Sequence, residues 1–226
     1  MTDPQQQIKS IFAPGGLATY IEANAKDPHP YLSKIREDCQ NHKWGFMVTS
    51  RDQAAFLYSL AKISRAKKIL EIGCYFGHST LALASALPND GKIISIEHNP
   101  KFAKIALEHM AHAAVSNRVE FLVGEAPHVL PRVAATHQPE SFDLIFIDAD
   151  KRHFPEYWES AMNLARTGGI IVFDNALARG DVTLETSDAN SHVAAVREFN
   201  ARVLEDSRAF SFIASISDGM LVAIKN

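Results

Sequence analysis

Lys67-Lys-Ile-Leu-Glu-Ile-Gly-Cys-Tyr-Phe-Gly-His-Ser79 is the stretch that decides the fold. Its apolar run, Ile69, Leu70 and Ile72, suits a strand buried on both faces, and it stops at two glycines that let a chain turn sharply and approach another group closely. Ser79, Thr80 and the Leu-Ala-Leu-Ala run after them begin a helix whose first turn offers free N–H groups. In an α/β fold such a strand-to-helix turn is where a nucleotide-like ligand is held.

Working outward, short apolar runs alternate regularly with amphipathic stretches, the pattern of βαβ units and a parallel sheet. The spacing predicts strands at Ile69 to Ile72, Lys92 to Ile96, Val119 to Val123, Leu144 to Ile147 and Ile170 to Phe173. Helices are predicted near 77–87, 99–113, 126–136, 155–166 and 189–204. The end of the chain differs: Phe210 to Ile216 and Met220 to Lys225 flank the turn signal Ser217-Asp218-Gly219, so these two runs pair antiparallel. Upstream, Thr49-Ser50 has N-cap character before a helix carrying Phe56, Leu57, Leu60 and Ile63. Leu32, Ile35 and Cys39 share a helix face; Ile8, Ile11 and Phe12 suggest a surface helix that Pro14-Gly15-Gly16 interrupts.

A length of 226 residues without a proline- or serine-rich linker is compatible with one domain. The net charge of -3, with scattered lysines and arginines, argues against a nucleic-acid partner. No apolar run approaches a membrane span, the start lacks the regions of a signal peptide, and two cysteines make no disulfide framework. A reducing cytoplasm is the expected compartment.

The carboxyl ends of the predicted strands are rich in carboxylates: Glu71, Glu97, Glu125, Asp148, Asp150 and Asp174 converge on one rim. Glu97 lies about 20 residues past the glycines, where an acidic side chain accepts ribose hydroxyls. The spacing Gly73-x-x-x-Gly77 lacks the third glycine of a pyrophosphate loop, and Glu71 sets a negative charge beside any phosphate. A cationic, phosphate-free adenosine compound fits better, and S-adenosylmethionine has that description. The alternative is an ordinary strand-to-helix turn. Asp148, Asp174 and Asn175 offer three hard oxygen ligands, the set that Mg²⁺, Ca²⁺ or Mn²⁺ prefers, provided strands four and five are neighbours. An Asp-Asn pair by itself also serves turns. Lys151, three residues after Asp148, is a candidate general base or a solvated lysine. The histidines, His78, His98, His128 and His153 among them, form no zinc pattern and read as solvated; Tyr75, Phe76, Phe154, Tyr157 and Trp158 read as packing.

With these residues in place the chain resembles the cation-dependent class I S-adenosylmethionine O-methyltransferases of the caffeoyl-CoA and catechol type. The resemblance runs from about Pro30 to Lys225 and is carried by Met47-Val-Thr-Ser50, Glu71 to Ser79, Ile96-Glu97, Gly124-Glu-Ala126, Phe142 to Lys151, Gly168 to Asn175 and Asp218-Gly-Met-Leu221. It implies a Rossmann-like α/β fold, a seven-stranded mostly parallel sheet with a reversed C-terminal strand and helices on both faces. It also implies that Thr49, Glu71, Gly73, Ser79, Glu97, Ala126 and Asp150 contact the methyl donor with Met47 close by; Tyr75, Gly77 and Asp148 complete that set. Asp148, Asp174 and Asn175 would hold a divalent cation, Mg²⁺ first, and Lys151 and Asp148 would serve catalysis on a vicinal dihydroxy aromatic. Residues 1–45 would be a helical extension shaping the acceptor site or a dimer contact, and 46–226 the methyltransferase domain of a homodimer. A departure stands at Asp174-Asn-Ala-Leu-Ala-Arg-Gly180, where many relatives carry a tryptophan; Arg179 here meets an acidic acceptor group or is solvated. A nicotinamide-dependent oxidoreductase and a non-catalytic adenosine-binding protein are the rival readings.

Overall fold

The computed structural model describes residues 15–184 and 191–226. The suggested helix around Ile8 to Phe12 and the predicted start of a helix at 189 therefore lie outside the described residues.

Seven strands form one sheet: β1 (Lys68–Ile72), β2 (Lys92–Glu97), β3 (Val119–Val123), β4 (Phe142–Ile147), β5 (Ala165–Phe173), β6 (Ala209–Ala214) and β7 (Met220–Lys225), in the order β3-β2-β1-β4-β5-β7-β6. The first five are parallel; β7 runs antiparallel to both β5 and β6, as the turn at Ser217-Asp218-Gly219 requires. Ser217 and Gly219 take positive φ there, 52° and 78°. The order reverses at β1, so the mouth between β1 and its neighbours is where such sheets bind ligands.

Period-2 alternation sends the side chains of each central strand to two separate cores. Ile69, Ile93, Leu144, Phe146 and Val172 pack under α2 (Leu32–Gln40), α3 (Arg51–Ile63), α4 (His78–Ala86) and the end of α5 (Pro100–His112). Leu70, Ile72, Ile94, Ile96, Ile145, Ile147 and Phe173 pack under α6 (Ala126–Thr136), α7 (Phe154–Leu164) and α8 (Ser191–Glu205). Two-sided burial explains why these strands read as continuous apolar runs rather than alternating ones. Each fully buried Ile or Leu contributes about 1.5–3 kcal/mol of apolar transfer. The aromatics read as packing are indeed buried, Trp158 and Tyr157 being among the largest fully enclosed side chains.

Two upstream expectations are met. Ser50 caps α3 with a complete capping box, accepting from the Gln53 N–H while the Gln53 side chain accepts from the Ser50 N–H. Leu32, Ile35 and Cys39 are wholly buried, so α2 is part of the main core; the first helix, Gly15–Asn24, instead leaves Leu17, Tyr20 and Ile21 exposed.

Candidate functional site

A backbone ladder runs past the strand ends and fixes the rim. Gly124 N–H donates to Glu97 O (3.0 Å), Gly73 N–H to Ile96 O (2.8 Å), Asp148 N–H to Ile72 O (2.8 Å) and Asp174 N–H to Ile147 O (2.9 Å). The residues singled out from sequence thus stand on five neighbouring strand ends at one level. β4 and β5 are neighbours, which was the condition for bringing Asp148 beside Asp174 and Asn175.

Gly73, at φ 86°, is where the ladder is tightest: a Cβ there would lie 2.1 Å from the Asp148 carbonyl oxygen. Only glycine lets β1 and β4 approach so closely. Gly77, at φ 83°, precedes α4 and sits against Ala106 and Met110. Between them, Tyr75 also takes positive φ, 50°, and stacks on Phe76 with ring centroids 4.2 Å apart. Its hydroxyl meets His42 Nδ1 at 2.8 Å, so the Tyr75 side chain serves an aromatic cluster while its backbone shapes the loop.

Glu97 ties that loop to β2. Its Oε2 accepts from the N–H groups of Cys74 (3.2 Å) and Tyr75 (2.9 Å), and its Oε1 from Asn99 N–H (2.9 Å). Glu71 is fully buried, its Oε2 accepting from Thr80 Oγ1 (2.5 Å) and Ser95 Oγ (2.6 Å). Burial pushes its carboxyl up to about 7, against the lowering effect of the Ser79, Ser95 and Thr80 hydroxyls. The Cys74 thiol, also enclosed, is raised well above its ordinary value by burial, in keeping with a packing role.

On the other side of the mouth, Lys151 Nζ donates to Asn175 Oδ1 (2.6 Å) and Ala149 O (3.1 Å) and lies 3.6 Å from Asp148 Oδ1. Oxygens from the ends of β4 and β5 thus surround one positive charge. Asn175 is held in the left-handed region, φ 61°, and its N–H donates to Asp174 Oδ1 (2.7 Å). The following loop is pinned to the β6–β7 turn: Ala176 and Leu177 N–H donate to Gly219 O and Asp218 O, and Arg179 N–H to Asp218 Oδ1. Among the described residues no three His, Cys, Asp or Glu side chains gather as a metal cluster; the candidate set is two carboxylates and one amide. Asp150 accepts from Tyr157 Oη (2.8 Å) and pairs with His153 (2.6 Å). Burial alone would raise its carboxyl, but these partners outweigh it and hold it below the usual range. Ala126 opens α6 at the β3 end.

The N-terminal side meets the site at two points, Thr49 against His78 and Phe46 under Arg179. Met47 ends a short 3-10 turn, Gly45–Met47, and is partly exposed beside Phe46, over whose ring the Arg179 guanidinium stands at 6.0 Å. Thr49 is buried and its Oγ1 lies 2.7 Å from Nδ1 of His78. Reading His78 as a solvated histidine is therefore corrected: it is 3% exposed and wedged between Thr49 and Arg36. Its place at the first helical position after a buried glycine turn was the available signal.

Among the described residues no helix is long and apolar enough to cross a membrane. Residues 22–226 match the family model described as O-methyltransferase. Tricin synthase 1 of Oryza sativa subsp. japonica is 35% identical over 200 residues, covering 84% of this chain and 79% of the relative. Caffeoyl-CoA O-methyltransferase 2 of Zea mays is 34% identical, covering 94% and 83%. Among solved structures, the O-methyltransferase TomG from Streptomyces achromogenes, in complex with SAM, superposes with a TM-score of 0.82 at 31% identity, covering 100% of both chains. The SAH-bound methyltransferase PaMTH1 of Podospora anserina gives 0.82 at 28% identity, covering 93% and 94%.

Proposed function

The chain belongs to the O-methyltransferase family, and from that premise we propose that it moves a methyl group from S-adenosylmethionine to one hydroxyl of a vicinal dihydroxy aromatic. The nicotinamide-dependent alternative falls with the family match. The observation that carries the reading is the oxygen cage at the β4 and β5 ends, where Lys151 Nζ sits within reach of Asn175 Oδ1, Ala149 O and Asp148 Oδ1. Support for the donor comes from the SAM- and SAH-bound neighbours, and for the acceptor class from the relatives named as caffeoyl-CoA O-methyltransferases.

Asp148, Asp174 and Asn175 fit a divalent cation by donor chemistry: hard oxygens on adjacent strand ends, of which those of Asp148 and Asn175 already stand beside the Lys151 charge. Bound there, Mg²⁺, Ca²⁺ or Mn²⁺ would supply a Lewis acid that lowers the pKa of an acceptor hydroxyl and fixes its oxygens. The chain's own residues do the rest. Lys151 Nζ takes up the hydroxyl proton: the O–H bond breaks, an N–H bond forms, and the oxygen is left as the nucleophile. Gly73, Gly77, Ser79, Glu97, Ala126, Asp150 and Thr49 hold the donor along the rim, with Met47 over it and Glu71 behind the wall. Close placement of oxygen and methyl supplies much of the acceleration. Neutralisation of the phenolate by the sulfonium is favoured where water is excluded.

Methyl transfer to a panel of catechols, caffeate and 3,4-dihydroxybenzoate, with Mg²⁺ and with chelator, tests this reading. Transfer that chelator lowers by about a hundredfold or more, while SAH still binds, is expected if the cation organises the acceptor. Undiminished turnover in chelator refutes the cation, and inactivity on every vicinal dihydroxy aromatic with tight donor binding favours a non-catalytic adenosine-binding protein.

A further inference from the structure

Buried at the first position of α4, His78 touches two groups from the N-terminal side of the chain. Its Nε2 lies 3.0 Å from Arg36 Nη1, and its Nδ1 lies 2.7 Å from Thr49 Oγ1. Arginine carries donors only, so Nε2 must be the acceptor. A neutral ring accepting at Nε2 has its hydrogen on Nδ1, and that N–H points at Thr49 Oγ1. An imidazolium would set an N–H against the guanidinium N–H at 3.0 Å and is disfavoured by that contact. Arg36 is itself locked, donating to both carboxylate oxygens of Asp27 at 2.7 and 2.6 Å. The tautomer is therefore set from outside the loop.

The consequence falls on Thr49. Its oxygen accepts from His78, so its single hydroxyl hydrogen must be given elsewhere, and among the described residues no other hydrogen-bond partner stands at Thr49 Oγ1. The rim nearby carries the acidic groups Glu97 and Asp148, which repel a carboxylate. Resting on the donor site described under the proposed function, we propose that His78 is a positioning residue: held by Arg36 as the Nδ1–H tautomer, it turns the Thr49 hydroxyl into a committed donor for the carboxylate of the methyl donor's amino-acid end. The Asp27–Arg36–His78–Thr49 chain thereby makes the site read the amino-acid tail, not only the adenosine. Its counterpart requirement is simple: ligands lacking that tail gain nothing from it.

SAH and 5′-methylthioadenosine, which share the adenosine and thioether but differ in the amino-acid end, separate this from a merely structural role. Calorimetric Kd values are compared for the full chain, for Thr49→Val, His78→Phe and His78→Asn, and for the double variant. Thr49→Val and His78→Phe are each expected to weaken SAH about tenfold, the scale of a hydrogen bond to a charged group, and to leave methylthioadenosine within about twofold. The double variant should be no weaker than either single one, because both remove the same bond. His78→Asn, which can offer an N–H near the Nδ1 position, should retain most of the SAH affinity and serves if His78→Phe fails to fold. Parallel weakening of both ligands, or multiplying effects in the double variant, overturns the inference while leaving the donor site standing. Failure of the unaltered chain to bind either ligand overturns the donor reading and the inference with it.

Discussion

Gly73→Ala probes the tightest point of the rim, and its cost follows from the geometry. The added Cβ would stand 2.1 Å from the Asp148 carbonyl oxygen and 2.9 Å from its carbon, both backbone atoms that no side-chain rotation can withdraw. A left-handed φ, 86° here, costs a non-glycine residue about 1–2 kcal/mol, and overpacking of this kind adds about 1–3 kcal/mol. The sum is about 3 kcal/mol, a large share of the roughly 5–15 kcal/mol that holds a domain together. Gly77→Ala shares the φ penalty, but its Cβ would meet Ala106 Cβ and the movable Met110 Cε at 3.1 Å, so about 1–2 kcal/mol is expected. Gly16→Ala, with nothing within 4 Å in a helix, should be neutral or stabilise by up to about 1 kcal/mol. Urea unfolding of the three variants gives the ranking, and methyl transfer by Gly73→Ala under folded conditions should fall as well, since the displaced segment carries Asp148 and Lys151. An unchanged urea midpoint for Gly73→Ala, or a larger loss at Gly77 than at Gly73, would refute the reasoning.

Three further outcomes can be measured. Glu71 has its folded carboxyl raised from 4.5 to about 7, so its contribution to stability is full below pH 4.5 and is lost as pH rises towards 7; Glu71→Gln should gain on the unaltered protein across that interval in pH-resolved urea unfolding, and a constant difference would refute it. Arg179 is exposed over Phe46 and forms no ion pair among the described residues, so Arg179→Gln should raise KM for 3,4-dihydroxybenzoate about tenfold while leaving KM for neutral catechol unchanged; equal effects on both would make it a solvated residue. Phe210 and Phe212 lie exposed on one face of the outermost strand β6, so Phe210→Ser with Phe212→Ser should shift a dimer to monomer in light scattering, and a monomeric parent protein would refute a dimer through this face.

The sheet was readable because its information is local. Ile69 to Ile72 and Ile170 to Phe173 are apolar throughout, glycines or acidic residues stop each run, and two-sided burial leaves the same mark on every central strand. The Asp174-Asn175 pair was readable as a candidate ligand set only jointly with Asp148, and strand order, which sequence does not display, is what joined them. His78 was missed for the same reason in stronger form. Its partners Thr49 and Arg36 lie 29 and 42 residues away, and no periodicity links a helix start to a preceding loop and an upstream helix. The committed state of Glu97 was equally hidden: its position marked a ribose contact, whereas the loop amides that it accepts from belong to another strand end.

The ladder across the strand ends also says where the acceptor can be changed. Gly73 abuts Asp148 so closely that the donor loop and the cage behind Lys151 cannot shift independently, and a change in either is felt in both. The loop after Asn175 is joined to the ladder at one end only; its other contacts are to the Asp218-Gly219 turn and to α8, where Asn200 Nδ2 donates to Ala176 O and Ala178 packs on Val193 and Val196. Phe46 and Met47, likewise, are partly exposed and belong to a turn outside the sheet. Differences in acceptor should therefore concentrate at Phe46, Met47 and 176–179, where a substitution alters the mouth without moving the rim. Ala178-Arg179 falls in that zone, and both residues take positive φ, 44° and 59°, which places the arginine over Phe46. Acceptor preference would thus be separable from the adenosine end of the donor site, which the ladder carries, but not from Thr49 and Met47, which stand in the same N-terminal segment as Phe46.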